Sequence, residues 1–560
     1  MRRFGLILIS LLLIEVPFSN QSSGAPVIEL PIVEVDPLSV ALDDLLEQEN
    51  STLLAQRNVK KSKRRRIPRS KQRSNSRDLA EALILAKKGE YKKASIRLFQ
   101  LSHVPRYRDK AMQIRYILGL MLYKMQLNQI SAFQFINVVS KGNNKYVRQS
   151  LEKLSLAADY LGDDTLLNYA MSKIDIDKFP KVHRDMLFYR IGQIQLRNHQ
   201  YLNATRSFDR VGQDSNYYSR ALYDKAMAYA YEDKTQRAIQ EFEKLVDYRA
   251  DRKVNDTVRV AGIVGKARTY YQAGKWDESI DAYRDVPKDN ELWHDTLFES
   301  SWAYLRAGRF RSALSNFLSL HSDYYENYYL PESLLLRAIV YLYICKYDEM
   351  EKVLTLYTKI YKPVYQDIRS YLKTVRDPMK YYNDVAIVEE DVRKIGGKID
   401  KAKYGIPFLV ARKIYKMGEF QSSFQYIKKV ESELDRIKQM DTYWQNSAIG
   451  KYSVKIINNR IKKAKQKAGR VVRDQLLATK NELFDLFEQK GFIRFEMLKG
   501  KKEYLKKRMA GKTLSDVQVD EDNERDYYVQ NGYEYWPFRG EYWLDEIGNY
   551  HYVGTQSCEQ

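Results

Sequence analysis

Six histidines and a few acidic clusters are the residues of this chain whose types could do chemistry. The common phosphate-cradling motifs (GxxxxGK[ST], GxGxxG) and the GxSxG nucleophile motif do not occur in it. A zinc site needs closely spaced His or Cys ligands. No histidine lies four residues from another or beside a cysteine pair, the six being His103, His183, His199, His294, His321 and His551. We therefore expect no catalytic residue, no metal ligand and no cofactor.

A group of carboxylates lies among aromatic rings near the end of the sequence. Glu541, Asp545 and Glu546 have a composition found in sites where two acids act across a sugar bond. Charges spaced in this way near a terminus are more often a solvated edge, so we do not predict a glycosidase. The rings themselves are candidates for partner binding, and stacking on sugar faces gives an alternative function in peptidoglycan or glycan binding; they are Trp536, Phe538, Tyr542 and Trp543.

The first residues predict an exported protein. Arg2 and Arg3 precede an apolar run that ends before Glu15 and Pro17, which is the pattern of a secretory signal, and we place its end at residue 24. The run is too short for a typical membrane-spanning helix. No cysteine precedes Cys345, so a lipid-modified amino terminus is not expected. We expect a periplasmic protein that is not a lipoprotein, with membrane association left open.

The composition is strongly basic. A formal charge of +22 suits nucleic acid, anionic lipid or an acidic protein. Export disfavours nucleic acid, so anionic lipid, an acidic partner or simple solvation by water remains for the disordered basic arm that we predict at residues 25–77. Two cysteines, Cys345 and Cys558, are too few for a disulfide framework, and we do not expect the single bridge that they could form.

A recurring spacing of small and aromatic residues starts near residue 78. Its clearest copies are 34 residues apart, and intervals of 37 and 41 residues separate others. Small residues allow two helices to cross closely, while the aromatic residues fill the space between them. The positions to which we assign this structural role are Gly192, Tyr201, Ala204, Phe208, Ala226, Ala238, Phe242, Trp276, Phe310, Ala313 and Phe317.

This spacing resembles the tetratricopeptide (TPR) repeat, whose period is 34 residues. The resemblance covers roughly residues 78–430. It implies an all-α fold in which antiparallel helix pairs stack into a right-handed α-solenoid, with a groove that binds other proteins.

The remaining segments depart from the repeat. We predict TPR-like repeats at 78–356, an irregular helical insertion at 357–404 where Pro363, Pro378 and two glycines occur, and a last repeat at 405–430. Residues 431–511 are nearly free of Gly and Pro and predict long basic helices. A helical pair that caps the solenoid is favoured over a coiled coil.

The final segment, 512–560, is acidic and aromatic. It carries eleven acidic and three basic residues, a net charge of −8, whereas residues 451–511 carry eighteen basic and six acidic residues, a net charge of +12. Opposite charges attract, so we expect the tail to dock on those basic helices, with an exposed peptide that docks on a partner as the alternative. The ending from Trp536 to Gly548 also resembles that of periplasmic TPR proteins of gliding and predatory bacteria, which implies an envelope-spanning motility complex.

Taken together, these features predict a non-enzymatic, exported scaffold. The groove of the solenoid is expected to bind other envelope proteins.

Overall fold

The computed structural model describes residues 38, 41–42, 45, 70–140, 146–163, 165–166, 169, 181–249, 256–392, 399–509 and 547–550. Within these ranges every regular element is helical. The twenty α-helices there are α1 (Ser70–Lys87), α2 (Tyr91–Leu101), α3 (Ala111–Lys124), α4 (Asn128–Ser140), α5 (Val147–Leu161), α6 (Lys181–Arg197), α7 (Tyr201–Phe208), α8 (Tyr218–Tyr231), α9 (Thr235–Tyr248), α10 (Thr257–Gln272), α11 (Trp276–Arg284), α12 (Trp293–Arg306), α13 (Phe310–Leu320), α14 (Pro331–Tyr343), α15 (Tyr347–Thr374), α16 (Pro378–Ala386), α17 (Phe408–Lys416), α18 (Gly418–Lys438), α19 (Thr442–Asn446) and α20 (Ala448–Met509).

The described residues divide into two compact units. The first unit contains residues up to 187 together with 421–468, and the second unit contains 188–420, 469–509 and 547–550. In both units, consecutive helices pack as pairs, for example α3 with α4 and α8 with α9. The predicted all-α fold of TPR-like helix pairs is confirmed.

Each of seven helix pairs turns at one residue with left-handed backbone. This residue lies seven positions after the small residue of the first helix. The next residue donates its backbone N–H to the carbonyl five residues earlier, which closes the helix as in a Schellman motif. Three of the seven turns use glycine, which adopts positive φ without strain. The turn residues and their φ values are Gly89 (80°), Gln126 (59°), His199 (58°), Asp233 (55°), Gly274 (74°), Gly308 (75°) and Cys345 (57°).

The helix crossings also repeat. A small residue on the first helix and another residue twelve positions later on the second helix are both buried, as in Ala82 with Ala94 and Ala226 with Ala238. Where the second residue is serine, its hydroxyl donates to the backbone carbonyl of the first, so that Ser131 bonds to Gly119 at 2.9 Å and Ser279 to Ala267 at 2.9 Å.

The segment predicted to be irregular from residue 357 begins in regular helix. Helix α15 continues from Tyr347 to Thr374 through Pro363. A proline inside a helix costs about 3 kcal/mol. That cost is offset by a continuous buried face, which includes Tyr357, Tyr361 and Ile368.

The connection between α17 and α18 differs from the turns described above. Helices α17 and α18 are separated by Met417 alone, in extended backbone (φ −66°, ψ 135°), instead of a left-handed turn. Beyond it, the basic segment forms one continuous helix, α20, of 62 residues. A capping helical pair was expected within this segment.

Cys345 is disulfide-bonded, contrary to the expectation from the sequence. The sequence contains one other cysteine, Cys558, which lies outside the described residues. No other cysteine lies near Cys345 in the sequence, so no local pattern indicated that it would be bonded.

Candidate interaction surfaces

The residues assigned to helix crossings are in the cores of the pairs. Ala204, Ala226, Ala238 and Ala313 are fully buried. The rings of Phe208, Phe242 and Phe317 are at most 2% exposed. Gly192 lies so close to the Phe208 ring that a Cβ added to it would collide with the ring. The small residues therefore set how closely the paired helices approach.

The other three repeat aromatics lie at the starts of second helices, where they are partly buried. Tyr201 stacks on Tyr231 with ring centroids 5.2 Å apart and planes 15° apart. Phe310 stacks on Tyr343 in the same way, at 5.3 Å and 16°. These two stacks join one helix pair to the next.

Trp276, the third of these aromatics, contacts Tyr271 at 5.0 Å. Both rings belong to one helix pair, because Tyr271 lies near the end of α10 and Trp276 begins α11. This contact therefore stabilises the turn within a pair.

An open pocket lies along α8 and α9. Its volume is about 480 Å³. Helix α9 buries Ala238, Phe242 and Leu245 on its other face, so helical periodicity directs its polar face into the pocket. The lining residues are Gln213, Tyr218, Gln240, Glu243, Lys244, Asp247 and Tyr248. Amide, acidic, basic and aromatic groups thus meet on one concave surface.

Two tyrosines order one side of this pocket. The rings of Tyr218 and Tyr248 meet edge to face, with centroids 4.9 Å apart. The hydroxyl of Tyr248 donates to the backbone carbonyl of Gln213 at 2.9 Å, while the residue as a whole remains 46% exposed. Sequence reasoning missed this pocket, because nothing in the pattern distinguishes these two residues among 45 tyrosines.

A buried ion pair links neighbouring helix pairs in the same unit. Arg268 of α10 donates to both carboxylate oxygens of Glu299 of α12, at 2.8 and 2.6 Å, and the hydroxyl of Tyr283 of α11 donates to Glu299 at 2.9 Å. Burial alone would lower the pKa of Arg268, but the Glu299 carboxylate raises it overall. Burial raises the pKa of Tyr283. The network is satisfied and enclosed, which fits a structural role.

A second enclosed group joins one cation, the guanidinium of Arg412, to two rings. The guanidinium of Arg412, on α17, lies 3.9 Å from the ring centroid of Tyr328, and the ring of His294, on α12, lies 4.0 Å from that centroid. Burial lowers the pKa of His294, so its imidazole is neutral near pH 7. Cation–π contacts of this kind are strengthened when they are desolvated. The group holds α17 against the repeat helices of its unit.

The basic helix α20 docks on α15 within the second unit. The ammonium of Lys501 contacts Asp348 at 2.7 Å, and Arg494 contacts Glu351 at 3.0 Å. Lys490 donates to the hydroxyl of Thr358 at 2.5 Å. Partner numbers on α15 rise as those on α20 fall, so the two helices run antiparallel.

The four candidate rings of the tail, Trp536, Phe538, Tyr542 and Trp543, lie outside the described residues. The part of the tail that is described, residues 547–550, contacts residues of the repeat region. The rest of the tail, on which the predicted docking on the basic helix depends, lies outside the described residues. The backbone N–H of Gly548 donates to the Ser319 hydroxyl at 2.8 Å, and Lys288 donates to Asn549 at 2.6 Å. Gly548 also lies against the ring of Trp293. Close packing at a glycine, which net charge cannot predict, fixes this contact.

Two kinds of site were sought among the described residues. No group of three or more His, Cys, Asp or Glu side chains there could hold a metal ion. None of the helices described combines the length and the apolar character that a membrane span requires.

Comparisons with known proteins return solved structures only. No protein-family model matches the chain. No curated protein matches it either. Among the solved structures is one described as nearly identical TPR-like repeats of a putative kinesin light chain from Podosopora anserina, at 16% identity and a TM-score of 0.28, covering 33% of this chain and 97% of that one.

Two further structures have the same level of similarity. A tetratricopeptide repeat protein from Parabacteroides merdae is 14% identical with a TM-score of 0.27, covering 48% of this chain and 99% of its own. A Rap protein complexed with Competence and Sporulation Factor is 11% identical with a TM-score of 0.27, covering 63% and 99%. None of the three descriptions concerns gliding motility. The fold defines the chain as a protein of TPR-like helix-pair repeats, on the evidence of its own turns and crossings.

Proposed function

We propose that this protein is an exported, non-enzymatic scaffold whose helix-pair repeats bind a segment of another protein. The pocket along α8 and α9 carries the proposal. It is open to solvent, and it offers hydrogen-bonding groups, both signs of charge and an exposed tyrosine. Such a surface can bind the backbone and side chains of an extended peptide without any reacting group.

Two observations support export. The amino-terminal pattern of Arg2, Arg3 and an apolar run is that of a secretory signal. Cys345 is disulfide-bonded, and disulfides form and persist mainly in oxidising compartments. The proposal therefore places the scaffold in a cell envelope, and the resemblance of the tail extends it to a motility complex there. Cell fractionation and the mass of the mature amino terminus test the compartment.

Site-specific photo-crosslinking in intact cells tests the binding surface. A photoreactive amino acid at Gln240, in the pocket, is expected to link the protein to a defined partner. The matched control is the same group at Lys352, which is exposed on α15. Tyr248→Ala should reduce the Gln240 product. Equal products from Gln240 and Lys352, or a product insensitive to Tyr248→Ala, would count against this pocket.

The glycan-binding alternative depends on the tail rings. Co-sedimentation of the mature protein with purified peptidoglycan, lost in a variant with Trp536→Ala and Trp543→Ala, would favour that alternative over the scaffold.

A further inference from the structure

Helix α20 has two apolar faces over its second half. One face is buried against the repeat helices of its unit, with Leu483, Leu486, Ile493 and Met497 at most 7% exposed. Phe487 lies beside this face and contacts Tyr357 of α15 with ring centroids 5.1 Å apart. A helix that is apolar all round is normally covered on every side.

The opposite face is apolar and exposed. Since a fully exposed aromatic side chain presents roughly 150–250 Å², the exposed side chains on this face leave on the order of 500 Å² in water. They are Phe484 (50% exposed), Phe492 (64%), Phe495 (64%), Leu498 (55%) and Leu505 (46%). We name these five residues the α20 stripe. The central three, Phe492, Phe495 and Leu498, are neighbours at i, i+3 spacing, and exposed Glu488 and Lys502 separate them from Phe484 and Leu505. Scattered surface leucines are ordinary, but adjacent exposed aromatic and aliphatic side chains on one helix face point to an interaction site.

The charges along the stripe change sign from one end to the other. Exposed Asp485 and Glu488 lie near its amino-terminal end, and exposed Lys502 and Lys506 lie near its carboxyl-terminal end. Both groups lie about equally far from Phe495. A copy of the helix that runs antiparallel, with a two-fold axis at Phe495, therefore brings acidic ends to basic ends. A parallel copy would bring like charges together, which is destabilising.

The apolar residues have the same symmetry. Rotation about Phe495 brings Phe492 to the level of Leu498 of the second copy, and Phe484 to within one residue of the level of Leu505 of the second copy. Phe495 lies opposite Phe495 of the second copy. A self-complementary surface of this kind is what a two-fold interface requires.

We propose that the α20 stripe binds a second copy of this chain, as an antiparallel helix pair centred on Phe495. Two stripes together present about 1,000 Å² of apolar surface, so their complete burial reaches the lower bound for a specific interface. The stripe is therefore expected to give a dimer with a dissociation constant on the order of micromolar. This inference is independent of the pocket along α8 and α9, which lies on other helices.

Sedimentation equilibrium of the full-length protein tests the dimer. Concentrations from roughly 1 to 100 µM bracket the expected constant. Phe495→Glu should weaken association about tenfold or more, because it places two like charges on the axis. The matched control is Tyr443→Glu, since Tyr443 is 72% exposed on another helix. An unchanged melting temperature confirms that each variant is folded.

Charge reversal tests the orientation. Glu488→Lys and Lys502→Glu should each weaken the dimer, because each sets like charges opposite in an antiparallel pair. The two changes together should restore it. A carbodiimide, which joins a carboxylate to an amine in contact, should link Glu488 to Lys502 between isotopically labelled and unlabelled copies.

Two results would overturn the proposal. One is a protein that stays monomeric over the whole concentration range. The other is a dimer that Phe495→Glu leaves unchanged, which would put the interface elsewhere. A dimer that dissociates with Phe495→Glu but is not restored by the double reversal would reject the antiparallel orientation.

Discussion

Arg268 and Glu299, 31 residues apart in sequence, form a two-bond ion pair in which their side chains are 8% and 5% exposed. Their positions on α10 and α12 make the pair a link between successive repeats. A buried pair of this kind is weak evidence for net stability, since desolvation offsets much of the attraction. Breaking it is another matter, because the remaining charge is left without a partner.

Glu299→Gln should therefore destabilise the fold by about 3–5 kcal/mol. Urea unfolding gives the free energy of unfolding. Asp281→Asn is the control, since Asp281 pairs with Arg284 at the surface and such pairs contribute about 0–1 kcal/mol. Replacing both partners, Arg268→Met with Glu299→Leu, should recover most of the loss. If Glu299→Gln behaved like Asp281→Asn, the pair would be solvated and not a repeat link.

Gly192→Ala should overpack the crossing of α6 and α7. The added Cβ collides with the Phe208 ring, which is itself only 2% exposed and cannot move freely. The expected loss is about 1–3 kcal/mol in the free energy of unfolding. Gly491→Ala is the comparison, because nothing lies within 4 Å of a Cβ at that helical position. It should be neutral or stabilising by about 0.5–1 kcal/mol. Equal effects of the two changes would refute the close approach.

The helix pairs could be predicted from sequence because their signals are local and repeated. A small residue, a turn seven positions later and a second small residue twelve positions later recur with little variation, as in Gly192, His199 and Ala204. Periodicity also identified α20 as a helix.

The side chains that join distant segments could not be predicted in this way. Arg268 and Glu299 have the composition of a solvated helix face, and only the stacking of α10 on α12 buries them. The exposed stripe around Phe495 is equally hidden, since Ile493 and Phe495 are both apolar and the sequence does not say which one faces solvent. The contact of Gly548 with Trp293 and Ser319 depends on shape and one hydrogen bond, neither of which net charge can predict.

The turn at Gln126 offers a stabilising change. Its φ of 59° is left-handed, a conformation that costs a residue with a Cβ roughly 1–2 kcal/mol. Gln126→Gly removes this strain and should raise the melting temperature, with a net gain of about 0.5–1 kcal/mol after the greater entropy of the unfolded glycine. The reciprocal change is Gly308→Ala, at an equivalent turn with φ of 75°. It should lower the free energy of unfolding by about 1 kcal/mol. A lower melting temperature for Gln126→Gly would show that the Gln126 side chain stabilises the turn.

Glu433 gives the first unit a dependence on pH. Its side chain is 3% exposed, and its carboxylate accepts the backbone N–H groups of Gln129 at 2.8 Å and Ile130 at 3.2 Å, at the start of α4. Burial raises the pKa of Glu433 to about 7, although these two bonds and the charge of Arg436 act to lower it. The folded pKa thus lies above the unfolded value of 4.5.

The folded state therefore binds the proton more tightly than the unfolded state does. Stability contributed by this group is present below about pH 4.5 and is lost as pH rises to about 7, by on the order of 3 kcal/mol at most. Glu433→Gln keeps a carbonyl acceptor but cannot ionise, so this part of the pH dependence should disappear. Hydrogen exchange of the amides at the start of α4, measured at pH 5 and pH 7, reports the local effect. Protection there should fall with rising pH in the wild type, beyond the known change in intrinsic exchange, and stay constant in Glu433→Gln. Equal pH dependence in the two proteins would mean that Glu433 is ionised throughout and that its two hydrogen bonds outweigh its burial.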